Sequence, residues 1–190
     1  MAKMKKFFSA NIREISLVIV MIVLAIFVEY RSGGNFLTAE NLSDMFAETS
    51  VLAICAVGMM FVMVTGGIDL SIGAIMALGA MAGCTVLKNN PGIPTIAVVL
   101  IAMAVGIVSG FFNGVLVSKL KILPIIATLG TMNIYRGITY LVANGSWVKQ
   151  QEMGANFLSL ATGKVLGINN LIMIAVAVYI IAAFFMTQTR

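Results

Sequence analysis

The run SVLAICAVGMMFVMVT (Ser50 to Thr65) is apolar, breaks at Gly66-Gly67-Ile68-Asp69-Leu70-Ser71, and resumes as IGAIMALGAMAGCTVL to Leu87. At about 1.5 Å of rise per residue, each run is long enough to serve as a membrane helix. A carboxylate therefore stands at or near the end of a spanning helix, where an ionisable side chain is a functional-site hypothesis by default. The two glycines before it permit backbone angles that a helix forbids, so the chain can break there and aim the N-terminus of the next helix into a cavity. Transporters use that device at binding sites, and a tight hairpin between two spans also uses Gly-Gly. Both readings stand at this level.

Composition supports a membrane setting. With 61% hydrophobic and 10% charged residues and a mean hydropathy of +1.06, the chain has too few polar side chains to cover a soluble globule. The apolar runs do not alternate with polar residues as barrel strands do, so the expected class is all-α, a polytopic transmembrane helix bundle. The net charge of +5 is scattered between apolar runs and forms no basic face, which excludes nucleic acid as a partner. Cys55 and Cys84 lie inside apolar runs and the chain has no His, so neither a disulfide framework nor a His/Cys metal site is expected; both thiols read as small core residues. No phosphate-binding loop, nucleophile elbow or paired carboxylates at helical spacing appear, so no enzyme activity and no cofactor in this chain are expected.

Six spans are expected, near Ile12 to Val28, Ser50 to Thr65, Leu70 to Leu87, Pro94 to Val117, Pro124 to Val142 and Asn169 to Met186. The basic, apolar start resembles a signal peptide, but Glu29-Tyr30-Arg31 stand where a small-residue cleavage site would be, so it reads as an uncleaved first span. Between Glu29 and Thr49, Thr38 is placed to cap a short interfacial helix with Leu42, Met45 and Phe46 on one side; a plain linker is the alternative. Asn144 to Gly167 is the longest polar loop, with Trp147 as an interfacial anchor. A cytoplasmic N-terminus puts Lys3, Lys5, Lys6, Arg13, Lys119, Lys121 and Arg190 inside and balances the outer basic residues with acidic ones. By the positive-inside rule, both termini are then cytoplasmic.

Small residues recur every fourth position at Ala102, Gly106, Gly110 and Gly114, and at Gly79 and Gly83, which predicts close helix packing. Thr65, Asp69, Ser71, Asn113, Thr128 and Asn133 supply hydroxyl, amide and carboxylate groups near helix ends. Together they can line a polar path suited to a sugar or polyol, which offers hydroxyls and no charge. Each also has a plainer role: Asp69 as the cap of the third span through the amide of Ser71 or Ile72, Asn113 and Thr128 as interhelical hydrogen bonds, and Arg136 as an outer-end side chain reaching for water.

The segment VGMMFVMVTGGIDLSIGAIMAL (Val57 to Leu78) resembles the signature of the ribose-type family of ABC sugar-importer permeases, and GFFNGVLVSKLKILPIIATLGTMNIYRGITYLVANGSWV (Gly110 to Val148) is similar to that family's middle. Within the second segment, ATLGT followed by YRGI and G-x-W resembles the branch that imports autoinducer-2 or rhamnose. The resemblance covers the family's N-terminal part and carries over Gly66, Gly67, Asp69, Ser71 and Gly73 as signature positions, with Asn113 as a pathway residue. It implies a bacterial inner-membrane permease with an inverted-repeat fold, paired with a second permease, two ATP-hydrolysing subunits and an extracytoplasmic sugar-binding protein. ATP would sit on the partner ATPase. Family members continue into a cytoplasmic coupling segment and a second set of helices, so the chain is expected to be a truncated or split N-terminal half. The competing expectations are an ATP-independent channel or facilitator for small neutral solutes and a purely structural membrane subunit.

Overall fold

The computed structural model describes residues 12–188. Among the described residues seven α-helices dominate: α1 (Ile12–Arg31), α2 (Ala39–Val64), α3 (Ile72–Asn89), α4 (Thr95–Ser118), α5 (Pro124–Ala143), α6 (Ala155–Thr162) and α7 (Asn170–Gln188). A two-residue antiparallel pair, β1 (Lys164–Val165) with β2 (Ile168–Asn169), joins α6 to α7. The protein is an all-α polytopic membrane bundle. Four helices, α2, α3, α4 and α7, are long and apolar enough to cross a bilayer. The chain divides into two compact units, Met1–Phe46 and Ala47–Arg190.

In the first unit, α1 buries none of its residues, and Leu17, Ile22 and Phe27 are each more than half exposed. That is the surface a helix presents to lipid. Arg13 and Glu14 at one end and Glu29 and Arg31 at the other keep α1 outside the most apolar set, although its 20 residues suffice to span. After a turn through Gly33 and Gly34, Thr38 caps α2: its Oγ1 accepts from the Asn41 amide at 3.3 Å, and its carbonyl from the Leu42 amide at 3.0 Å. The sequence suggested a short helix or a linker here, separate from a span beginning at Ser50. The structure instead runs one helix of 26 residues from Ala39 to Val64, because nothing between Glu40 and Ser50 breaks the helical ladder; neither Gly nor Pro occurs there.

The second unit is organised around α3, which packs against both α4 and α5. Ala74, Leu78 and Tyr135 form the buried centre, flanked by Ile75, Val105, Met132 and Val142. Close approach of α3 and α4 rests on two glycines. A Cβ at Gly79 would lie 3.1 Å from the Ala102 carbonyl oxygen, and one at Gly83 would lie 3.1 Å from both the Val98 oxygen and its Cγ1. Gly106, Gly110 and Gly114 have no heavy atom within 4 Å of where a Cβ would stand. The stripe on α4 therefore divides: Ala102 meets α3, whereas the next three small residues leave open space.

Helix α5 shows the membrane arrangement turned inside out relative to a soluble helix. Thr128, Thr131, Tyr135 and Thr139 are buried on one face, and Ile126, Ile134 and Leu141 are each more than half exposed on the other. The hydroxyls find acceptors within the protein, such as Thr128 Oγ1 to the Pro124 carbonyl at 2.8 Å and Thr139 Oγ1 to the Tyr135 carbonyl at 2.7 Å. Polar groups turned inward and aliphatic ones outward suit a lipid surround. The same pattern accounts for the modest hydropathy of α5.

The long segment after α5 is more ordered than a polar loop. It carries a 3₁₀ turn at Gln150–Glu152, α6 and the β1–β2 hairpin. Trp147 stacks edge-on against Tyr140, ring centres 5.8 Å apart, and Lys88 at the end of α3 pairs with Glu152 at 2.8 Å. The hydrogen bond from Lys88, then that from the Lys149 amide, holds the Glu152 carboxyl below its ordinary value. A lowered carboxylate pKa stabilises the fold above the unfolded value and loses that contribution as pH falls through the folded one. Amide protection across residues 149–153, taken relative to the intrinsic exchange rate at each pH, should therefore fall only in acid, below the usual glutamate range, and Glu152→Gln should remove that pH step.

Replacing Gly79 by Leu should lower stability in detergent by about 1–3 kcal/mol, because the new side chain meets the α4 backbone and the helices must separate. The same replacement at Gly137, whose Cβ position is open, should leave the melting temperature nearly unchanged.

Candidate functional site

The break between α2 and α3 is closed by main-chain bonds before any side chain contributes. The Gly66 amide bonds to the Met63 carbonyl at 2.9 Å and the Gly67 amide to the Val62 carbonyl at 3.2 Å. This Schellman closure requires a left-handed residue just past the helix, which Gly66 provides at φ +79°. The Val62 and Met63 carbonyls at the end of α2 are thereby satisfied and the chain turns back toward α3.

Asp69 then organises the start of α3. Its Oδ1 accepts from the Ser71 amide at 2.7 Å and from the Ser71 hydroxyl at 2.6 Å. Ser71 occupies the position just before the helix but makes no cap bond with its own side chain; its hydroxyl donates to Asp69 instead. The Ser71 hydroxyl oxygen in turn accepts from Asn113 Nδ2 on α4 at 2.8 Å, and Asp69 Oδ2 accepts from the same nitrogen at 3.4 Å. On the far side of the amide, Tyr135 Oη on α5 donates toward Asn113 Oδ1 at 3.2 Å and the Ser109 carbonyl at 2.9 Å. Four residues from three regions of the chain thus form one connected polar chain. Ser71 is fully buried, and Asn113 and Tyr135 are each 5% exposed.

Beside this chain lies a cavity of about 210 Å³ lined by Thr65, Gly67, Asp69, Gly110, Asn113 and Thr128 among others. Gly110 and Gly114 contribute the open wall, so the small residues of α4 that face no helix here border the cavity instead. Thr128 Oγ1, whose nearer acceptor is the Pro124 carbonyl, also lies 3.3 Å from the Ile68 carbonyl and so brings the Gly-Gly loop beside α5. Thr65 directs its hydroxyl to the Val62 carbonyl at 2.7 Å. Gly66 shapes the loop, whereas Gly73 sits in α3 with open space where a Cβ would stand. Asn133 bonds to its own helix through the Leu129 carbonyl at 2.9 Å and takes no part in the cluster. Among the described residues, no group of three or more His, Cys, Asp or Glu could hold a metal ion.

Sequence reading singled out Asp69, Ser71, Asn113 and Thr128 but missed Tyr135. The signal was present: Thr128, Thr131, Tyr135 and Thr139 recur at intervals of three and four, a hydroxyl-bearing stripe on one face of α5. A tyrosine at mid-helix on such a stripe needs an acceptor inside the bundle.

Residues 41–190 match the family described as branched-chain amino acid transport system / permease component. The chain belongs to this permease family. Among curated proteins, it is 38% identical over 128 residues to the autoinducer 2 import system permease protein LsrC of Yersinia pseudotuberculosis serotype O:3 (strain YPIII), covering 67% of this chain and 35% of that protein. The LsrC protein of Salmonella typhi is 35% identical over 152 residues, covering 80% of this chain and 43% of that one. The chain thus spans less than half the length of these relatives. No solved structure matches it. The family match and the apolar helices make it a multi-pass membrane permease component, and the Asp69 cluster falls within the matched region.

Substituting Tyr135 by Phe removes one buried donor and should cost about 1 kcal/mol of bundle stability, near the middle of the range for interhelical hydrogen bonds in membranes. Asn113→Leu, which removes the donor that Ser71 Oγ and Asp69 Oδ2 share, should cost more. Thermal unfolding of the two variants in the same detergent checks the order.

Proposed function

We propose that this chain is part of the membrane subunit of an ATP-driven ABC importer that moves a small, neutral, polyhydroxylated solute inward by alternating access. The observation that carries the reading is the cavity at the glycine break, whose largely apolar lining is interrupted by the Asp69 carboxylate, Thr65, Thr128 and the Asn113 amide. At about 210 Å³ it falls below the roughly 300–1,000 Å³ typical of pockets for drug-sized ligands, and suits a solute of monosaccharide size. Autoinducer 2, named in the relatives, and monosaccharides such as ribose belong to this chemical class. Thr65, Gly66, Gly67, Asp69, Ser71, Gly73, Asn113 and Thr128 form the path region in this reading.

The partners would be a second permease, two ATP-hydrolysing subunits and an extracytoplasmic binding protein, all in or at a bacterial inner membrane. Helices α1 to α5 and α7 would make six crossings with both termini in the cytoplasm. That orientation puts the Asp69 cavity at the cytoplasmic end and the segment from Asn144 to Asn169 outside. In a background free of Cys55 and Cys84, a cysteine at Lys149 should react with a membrane-impermeant maleimide in intact cells. One at Lys119 should react only after permeabilisation; the reverse pattern would invert the topology.

The function is tested by uptake of tritiated ribose and of autoinducer 2 through the whole transporter. Uptake should cease when the partner ATPase is inactivated, whereas undiminished uptake would assign a facilitator. Asp69→Asn retains a side-chain acceptor for the Ser71 amide while losing the charge, because Asn caps about as well as Asp. If the carboxylate serves transport, this variant should import several-fold more slowly at equal abundance, and an unchanged rate would reduce Asp69 to its structural bonds.

A further inference from the structure

The two oxygens of Asp69 are unequally engaged, and the reason traces to a residue on α5. Oδ1 accepts two short bonds, both from Ser71, at 2.7 and 2.6 Å. Oδ2 accepts only the 3.4 Å contact from Asn113 Nδ2. A carboxylate has about four lone-pair sites, so Oδ2 keeps acceptor capacity for a solute hydroxyl, and Asp69 lines the cavity. Ser71 has no exposed surface and Asn113 has protein partners at both ends of its amide. These two hold the carboxylate, and Asp69 is the member of the chain left able to meet a solute.

The amide orientation of Asn113 is decided from its two sides. Asp69 is an acceptor only, so the nitrogen must face it and the oxygen must face away. The group meeting that oxygen is Tyr135 Oη at 3.2 Å, whose single proton is shared between it and the Ser109 carbonyl at 2.9 Å. Tyr135 is 5% exposed and packs with Ala74 and Leu78 in the buried centre of α3 and α5, which places its hydroxyl beside the amide.

We propose that Tyr135 is a positioning residue for transport: acting through Asn113, it fixes Asp69 so that one carboxylate oxygen faces the cavity. This rests on the reading of that cavity as the solute path. The test is a double-mutant cycle in the whole transporter, with uptake of tritiated ribose and autoinducer 2 expressed per assembled complex. Tyr135→Phe should slow uptake by about threefold to tenfold, the effect of one lost hydrogen bond. In the Asp69→Asn background the same change should have less than about a twofold further effect, because the group it positions has already lost its charge.

Losses that multiply in the double variant, or a Tyr135→Phe rate per complex equal to wild type, would overturn the proposal and leave Tyr135 a packing residue. If Tyr135→Phe does not assemble, Asn113→Ser provides the same cycle, since it removes the amide through which Tyr135 acts. Failure of the wild-type transporter to import either solute under ATP would count against the solute path itself, whereas import by wild type with multiplying losses counts only against Tyr135.

Discussion

Everything at the centre of this bundle follows from a shortage of water. A chain that breaks its helix beside a buried centre must satisfy the freed amides and carbonyls from within wherever water is excluded. The α2 end does so through Gly66 and its left-handed backbone. The α3 start does so through Asp69, which takes the Ser71 amide. Once the carboxylate is committed there, its charge must in turn be supported, and Ser71, Asn113 and Tyr135 form the support in sequence. The break, the cap and the interhelical network are consequences of one constraint.

That network also explains how the three helices are held together. Lipid tails are as apolar as leucine, so burial of aliphatic surface does little to drive helices against one another in a bilayer. Close backbone approach at Gly79 and Gly83 supplies van der Waals contact between α3 and α4, and the hydrogen bonds from Asn113 and Tyr135 add direction. Packing brings the helices near, while the polar chain selects which residues face one another. The cavity beside Asp69 is what remains where α4 presents Gly110 and Gly114 and nothing fills the space.

The structure also separates roles that looked equivalent among the polar residues. Asn133 serves its own helix, Thr128 ties the loop to α5, and Ser71 and Asn113 are enclosed. Only a few polar groups border open space. The plainer readings, capping for Asp69 and interhelical bonding for Asn113, describe bonds that are present, and they are compatible with a functional carboxylate because a second oxygen is left over.

The membrane class, the helical architecture and the glycine break with its carboxylate were legible in the residues, since apolar run length and the unique backbone freedom of glycine act locally. Helix α2 was legible except for its start, because the residues from Ala39 to Thr49 continue a helix without any breaker to mark a boundary. Which small residues would touch a neighbour was not legible: Gly79 and Gly106 have the same side chain, and only the crossing of α3 over α4 separates contact from open space. Tyr135 was hidden for the same reason. Its partner Asn113 is 22 residues away, and hydrogen bonds of that range are set by how helices rotate about their axes. The sequence by itself determined that the chain is a helical membrane protein and where it must turn. Tertiary structure decided which faces meet, because rotation and crossing angle depend on all the helices together and on no single run of residues.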